Sequence, residues 1–204
     1  MRAVITGATG GIGGATAEAL GRAGYEVIIT GIDIEAGKKV IDKLESQGIK
    51  VHFYACDATN EEQVNETFAK IGEEFGSLDL LVNNVGGLGG RQRVSEMETG
   101  FMRKVMALNF DSVFFNTRAA LPLLKKGKDA SIVNFSTIAV TSGAGIGASI
   151  YAASKGAVQS YTRALAKDLP SSASAPTWSL PVPSTLPSTL RLTAPWWRAG
   201  RTAS

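Results

Sequence analysis

Residues 1–169 predict an α/β fold with a doubly wound parallel sheet, and three observations carry the prediction. β-Branched apolar runs alternate strictly with amphipathic helical stretches, glycines stand where the helical pattern stops, and a glycine-rich turn joins the first strand to the first helix. Strict β-α alternation implies parallel strands with helices on both faces, because a crossover helix is what returns the chain to the same end of a sheet.

The strands are expected at 2–6, 26–30, 50–55, 78–82 and 131–135, each rich in Val, Ile, Phe or Leu. Between them the apolar residues recur at helical spacing over 12–23, 35–47 and 61–75, over 96–108 continuing through 114–125, and over 149–169. Gly48, Gly76 and Gly127 read as helix stops.

Composition bounds the rest. With 204 residues, 44% hydrophobic and 19% charged, the chain has the makeup of one globular domain. No stretch approaches the ~20 apolar residues of a membrane span, Met1 leads straight into a strand, and a cytoplasmic location is expected. Cys56 and His52 are the sole residues of their types, so neither internal disulfides nor a metal site is expected. The net charge of +3 comes from Arg191, Arg198 and Arg201, since 1–169 carries 18 basic and 18 acidic residues. A nucleic-acid partner is therefore not expected.

The first strand runs into Thr6-Gly7-Ala8-Thr9-Gly10-Gly11-Ile12-Gly13 before the helical period begins. Side chains at Gly7, Gly11 and Gly13 would obstruct a tight turn, the approach of a pyrophosphate to backbone N–H groups, and close helix–strand packing. The helix N-terminus beyond favours the anion.

Four further landmarks stand in order: Asp57 after the third strand, Asn83-Asn84-Val85-Gly86 after the fourth, Asn109 in the next helix, and Tyr151-Ala-Ala-Ser-Lys155. Together with the spacing Gly-x-x-x-Gly-x-Gly they resemble the short-chain dehydrogenase/reductase family over residues 1–169. The resemblance implies a Rossmann-like three-layer fold that binds NADP or NAD and moves a hydride to or from a carbonyl or alcohol substrate. Gly7, Thr9, Gly11, Ile12, Gly13, Gly31, Asp57, Ala58, Asn83, Gly86, Tyr151 and Lys155 are the cofactor-binding residues it implies. Asn109, Thr137, Tyr151 and Lys155 are the catalytic set. Singly, Asp57 also reads as a helix cap, Asn83 and Asn84 as turn formers, and Asn109 as a helix backbone partner.

The acid–base chemistry is readable from the residues. A phenol of pKa ~10 must be made more acidic to act near neutral pH, and Lys155, one helical turn from Tyr151, supplies the charge that favours the phenolate. The family places Asn109 at a water of the proton relay. Its serine position, 14 before the tyrosine, falls on Thr137, with Ser136 the alternative. Gly31 stands where NAD enzymes of the family carry an acid, which leans the cofactor towards NADP(H).

The loops Gly86-Gly87-Leu88-Gly89-Gly90-Arg91 and Gly143-Ala-Gly-Ile-Gly147 resemble those of family members that reduce keto-sugar acids, so Arg91 or Arg93 is expected to pair a substrate carboxylate, or else to be solvated, with 3-oxoacyl or alcohol substrates as the alternative. The family also implies a homodimer or homotetramer.

At Pro170 the pattern breaks: six of seven prolines and all three tryptophans fall in 170–204, without hydrophobic period. The tail is expected to be disordered, and the strands with which the family would continue are expected to be missing. Within codon degeneracy, Ala173–Leu190 can be back-translated so that a shifted frame reads Ile-Arg-Ala-Asn-Leu-Val-Ser-Pro-Gly-Thr, the kind of segment the family carries there. A frameshift is the corresponding expectation, and a catalytically impaired nucleotide-binding remnant is the alternative to an active enzyme.

Overall fold

The computed structural model describes residues 1–169 and 177–179. Five strands, β1 (Arg2–Ile5), β2 (Glu26–Gly31), β3 (Val51–Ala55), β4 (Leu80–Asn83) and β5 (Ser131–Phe135), fall within one or two residues of the apolar runs that predict them. The main helices are α1 (Gly11–Arg22), α2 (Ile34–Glu45), α3 (Glu61–Phe75), α4 (Thr99–Met106), α5 (Ser112–Leu124) and α7 (Ser149–Asp168), with a four-residue α6 (Ala139–Ser142) between β5 and α7.

All neighbouring strands pair in parallel, in the order β3-β2-β1-β4-β5-β6. The order reverses between β1 and β4, so the loops at their carboxyl ends diverge and leave a crevice there. Alternation along each strand splits the core in two. Val4, Ile28, Leu81 and Ile132 pack with Val64, Phe68 and Ile71 of α3 and Leu124 of α5. Ala3, Ile5, Val27, Ile29 and Val82 pack with Ala17 and Leu20 of α1 and Leu44 of α2 on the other face. Among the described residues no helix is long and apolar enough to cross a membrane.

Three differences from expectation have physical causes. The tail contributes a sixth strand, β6 (Thr177–Ser179), paired in parallel with Val133–Phe135, where no strand is expected. An unpaired β5 edge offers backbone groups to any extended segment within reach; the remaining tail residues lie outside the described ones. Gly127 does not end a helix through a left-handed turn. A Cβ there would lie 1.9 Å from the Leu78 carbonyl oxygen, and the left-handed residue is Asp129, at φ +49°. Finally, the long fourth helical stretch begins at Thr99 and is interrupted by a π-helical turn, Ala107–Asp111, a widening that recurs at functional sites.

Candidate active site

The nucleotide side is built on the N-terminus of α1. Asp33 caps α2 by accepting from Ala36 N (2.9 Å), and Asn60 caps α3 by accepting from Gln63 N (3.1 Å). In contrast, α1 starts at Gly10 with no side-chain cap and no acid in its first turn, so its first N–H groups face outward with the positive end of the helix dipole behind them. Gly7 and Gly11 hold left-handed backbone, φ +63° and +55°, where a side chain would be strained. Gly13 is required by space: a Cβ would lie 2.6 Å from Asn84 Nδ2 and 2.7 Å from Gly7 O. Ile12 stands exposed beside the turn. Uncapped amides behind open glycines are the cradle a pyrophosphate fits.

What fastens this cradle is Asn84, whose Nδ2 donates to Thr6 O (2.9 Å) and Gly7 O (3.0 Å), while its backbone N–H donates to Thr6 Oγ1 (3.1 Å). Sequence reasoning placed Asn83 in the cofactor set and passed over Asn84. The signal was present, because consecutive side chains leaving a strand point to opposite faces. Asn83 turns inward, fully buried, and its Nδ2 donates to Thr117 Oγ1 (3.0 Å) and Asn134 Oδ1 (2.8 Å). Asn134 in turn donates to Thr162 Oγ1 of α7 (2.9 Å).

At the ribose end, Gly31 ends β2 against Thr9. A Cβ on Gly31 would lie 2.5 Å from Thr9 Cγ2, so the threonine fills the place of an acid. Asp57, past β3, accepts from Thr59 N (2.9 Å) and Thr59 Oγ1 (2.8 Å), and Ala58 is buried. Asp57 thus closes its own turn, and Asn60 is the helix cap.

The residues expected to be catalytic come from three places: Asn109 from the π-helical turn, Thr137 from the end of β5, and Tyr151 and Lys155 from α7. Lys155 is buried within α7 and its Nζ donates to Phe135 O (3.0 Å) at the end of β5. Burial disfavours its charge and lowers its pKa to about 8. A Cβ on Gly86 would lie 2.7 Å from Lys155 Nζ and 2.8 Å from Asn109 Oδ1, so Gly86, Lys155 and Asn109 share one spot. Asn109 sits in the π-helical turn with its amide engaged. Its Nδ2 donates to Gly87 O (2.8 Å) and Val105 O (2.9 Å), and its Oδ1 accepts from Gly87 N (3.0 Å). Its side chain therefore clamps the loop after β4.

Tyr151, half-buried, lies one turn before Lys155 on the same face of α7. Of the two hydroxyls at the end of β5, that of Ser136 is directed to Lys155 O (3.3 Å), whereas Thr137 Oγ1 accepts from Ala139 N (3.2 Å) and keeps its proton available to donate.

The substrate side is formed by the loop after β4 and the loop before α7. Arg91 Nη1 donates to Ile146 O (2.8 Å) and Gln92 N to Gly147 O (3.0 Å). The expectation that either arginine could take a substrate carboxylate is therefore narrowed, because Arg91 is held by the neighbouring loop. Arg93 lines an open cleft of about 450 Å³ with Val94, Ser95, Ile146 and Ser149. Among the described residues no cluster of His, Cys, Asp or Glu could hold a metal ion.

This arrangement defines a nucleotide-binding fold with a tyrosine–lysine pair at the carboxyl ends of its strands. The chain belongs to the short chain dehydrogenase family, whose sequence profile matches residues 1–173. It is 38% identical over 165 residues to a 3beta-hydroxysteroid dehydrogenase of Mediterraneibacter gnavus, covering 81% of this chain and 59% of that one. It is 36% identical to an NADP-dependent (R)-specific alcohol dehydrogenase of Lentilactobacillus kefiri, covering 81% and 65%. The chain thus spans roughly three fifths to two thirds of the length of these relatives. Among solved structures it resembles NADH-dependent reductase A1-R′ complexed with NAD, a protein described as responsible for alginate metabolism, with 32% identity, 88% and 77% coverage and a TM-score of 0.83.

Proposed function

We propose that this chain is an NAD(P)-dependent oxidoreductase that interconverts a carbonyl and an alcohol, with Tyr151 as the acid–base residue. The observation that carries the reading is Lys155. A buried cation one helical turn from a phenol favours the phenolate, and so makes Tyr151 a better proton donor to a developing alkoxide. Thr137 positions the reacting oxygen by donating its free hydroxyl proton. Asn109 holds the loop that walls the pocket and serves the relay behind Lys155. Gly7, Thr9, Gly11, Ile12 and Gly13 would cradle the cofactor's pyrophosphate, Gly31, Asp57 and Ala58 would flank its adenosine end, and the segment running from Asn83 to Gly86 would face its nicotinamide ribose. When bound, the cofactor supplies or accepts the hydride.

NADPH is the preferred cofactor on this reading. Thr9 occupies the site of the acid that would hold a ribose 2′-hydroxyl, and the Asp33 carboxylate is engaged as the α2 cap. Titration followed by nicotinamide fluorescence tests it, and tenfold tighter binding of NADH would overturn it.

Two substrate classes have support. A keto-sugar acid fits the glycine loops, the arginine-bearing cleft and the likeness to reductase A1-R′. A neutral secondary alcohol fits the named curated relatives and the exposed apolar residues Val94 and Ile146 that line the cleft. Assembly as a homodimer or homotetramer through the fourth helical stretch and α7 is carried over from the family resemblance.

The deciding experiment is carbonyl-dependent oxidation of NADPH and NADH by the chain and by its Tyr151→Phe variant. Turnover in the former alone supports the reading. Nucleotide binding without turnover by either makes the chain a nucleotide-binding remnant.

A further inference from the structure

We propose that Arg93 reads a carboxylate on the substrate, and that Arg91 shapes the wall on which Arg93 stands. The inference deepens the acid-substrate reading of the site above and rests on that reading. It commits to a compact oxo acid, one with only a short segment between ketone and carboxylate.

The two arginines, two residues apart, have opposite surroundings. Arg91 and Gln92 lock the loop after β4 to the loop before α7 through Ile146 O and Gly147 O. Gln92 Oε1 also accepts from Glu98 N (3.2 Å), which ties the same loop to the start of α4. The fit is tight at both glycines. A Cβ on Gly145 would lie 3.2 Å from Arg91 Nη1, and one on Gly147 would lie 3.1 Å from both Arg91 Cβ and Gln92 N. An arginine packed this way is a structural tie with its guanidinium fixed against backbone.

Arg93 follows once that wall is set. Its side chain is exposed, and its guanidinium makes no hydrogen bond or ion pair with a described residue, whereas those of Arg2, Arg22 and Arg118 each pair with a glutamate. It lines the cleft, and no residue lining that cleft is an acid. Ser149, also in the lining, precedes Tyr151 by two residues in the first turn of α7. The cleft therefore has Arg93 on one wall and Ser149, at the start of the helix that carries Tyr151, on the other. The complement of an unpaired guanidinium is a planar anion that accepts two parallel N–H bonds, which is a carboxylate. Between these polar ends stand Val94 and Ile146, 76% and 73% exposed, which suit a short apolar or weakly polar segment.

The test compares oxo acids with their methyl esters, which keep the ketone and remove the charge. Pyruvate, acetoacetate, levulinate and 2-keto-D-gluconate, each with its ester, are titrated on the NADPH-loaded chain at low salt and assayed for turnover. At least one acid is expected to bind roughly tenfold or more tighter than its ester, as for a charge-assisted pair. In Arg93→Gln that ratio should fall to near one, with recovery in Arg93→Lys and with ester affinity, NADPH affinity and thermal midpoint unchanged. Arg91→Ala should weaken acid and ester alike. The proposal is overturned if every acid–ester ratio in the unsubstituted chain is near one, or if Arg93→Gln leaves the ratio intact. Neutral ketones turned over without acid preference would sink the Arg93 role and leave the oxidoreductase reading standing. Acid preference in binding with no turnover would do the reverse.

Discussion

The turn on the nucleotide side and the paired loops on the substrate side are both rich in glycine, yet glycine serves them differently. In the turn, Gly7 and Gly11 supply left-handed backbone and Gly13 admits the Asn84 amide, so the segment is shaped by its own residues and one clamp. In the loops, Gly145 and Gly147 make room for Arg91 and Gln92, which come from a segment more than fifty residues earlier. One is a local shape with a ligand-facing surface. The other is a joint whose geometry exists only when both halves are in place.

Four substitutions sharpen or break that contrast, and the largest effect belongs to the helix between the two regions. Tyr151→Phe removes the acid–base group and should lower kcat by about 10²–10⁴ while nucleotide affinity holds; a loss under tenfold would detach Tyr151 from the chemistry. Next is Lys155, whose burial lowers its pKa in the folded chain to about 8 from the 10.5 of a solvated lysine. Between those values the unfolded chain binds the extra proton, so stability rises with pH over that window, by on the order of 3 kcal/mol in total. Denaturant titrations from pH 7.5 to 10.5 should show that rise, and Lys155→Met should abolish it. Carbonyl reduction should weaken as pH rises through about 8, where Lys155 of the folded chain loses its charge.

Smaller effects separate the two glycine sets directly. Gly13→Val forces a side chain against Asn84 and the Gly7 carbonyl, and should cost roughly 1–3 kcal/mol together with most nucleotide affinity. Gly147→Ala meets a left-handed φ of +76° and the Arg91 contact, and should cost about 1–2 kcal/mol with nucleotide affinity unchanged. Equal losses of nucleotide binding in both variants would erase the distinction between turn and joint.

The same contrast explains what the sequence reveals. The glycine spacing, the five strands and the Tyr151–Lys155 pair are legible because each is written within a few consecutive residues. The fill of the Gly31 site by Thr9, the clamp of Gly87 by Asn109 and the lock between Arg91 and Ile146 are not, since each joins residues at least twenty positions apart. The helical period also ran unbroken through 107–111 and gave no sign of the π-helical turn around Asn109. The tail marks another boundary. In the shifted reading, Asn-Leu-Val overlies codons 177–179, the positions that form β6. Sequencing the coding DNA across codons 160–204 is expected to reveal that frame; DNA lacking it would remove the frameshift proposal and leave β6 as an accident of an unpaired edge.

The contact between Thr9 and Gly31 also constrains how this chain can change. An acid introduced at Gly31 to favour the other nucleotide would place its Cβ 2.5 Å from the threonine methyl, so Thr9 must move to admit it. Shrinking Thr9 to serine or glycine opens that space. The two positions are therefore coupled, and the effect of an acid at position 31 depends on which residue stands at position 9.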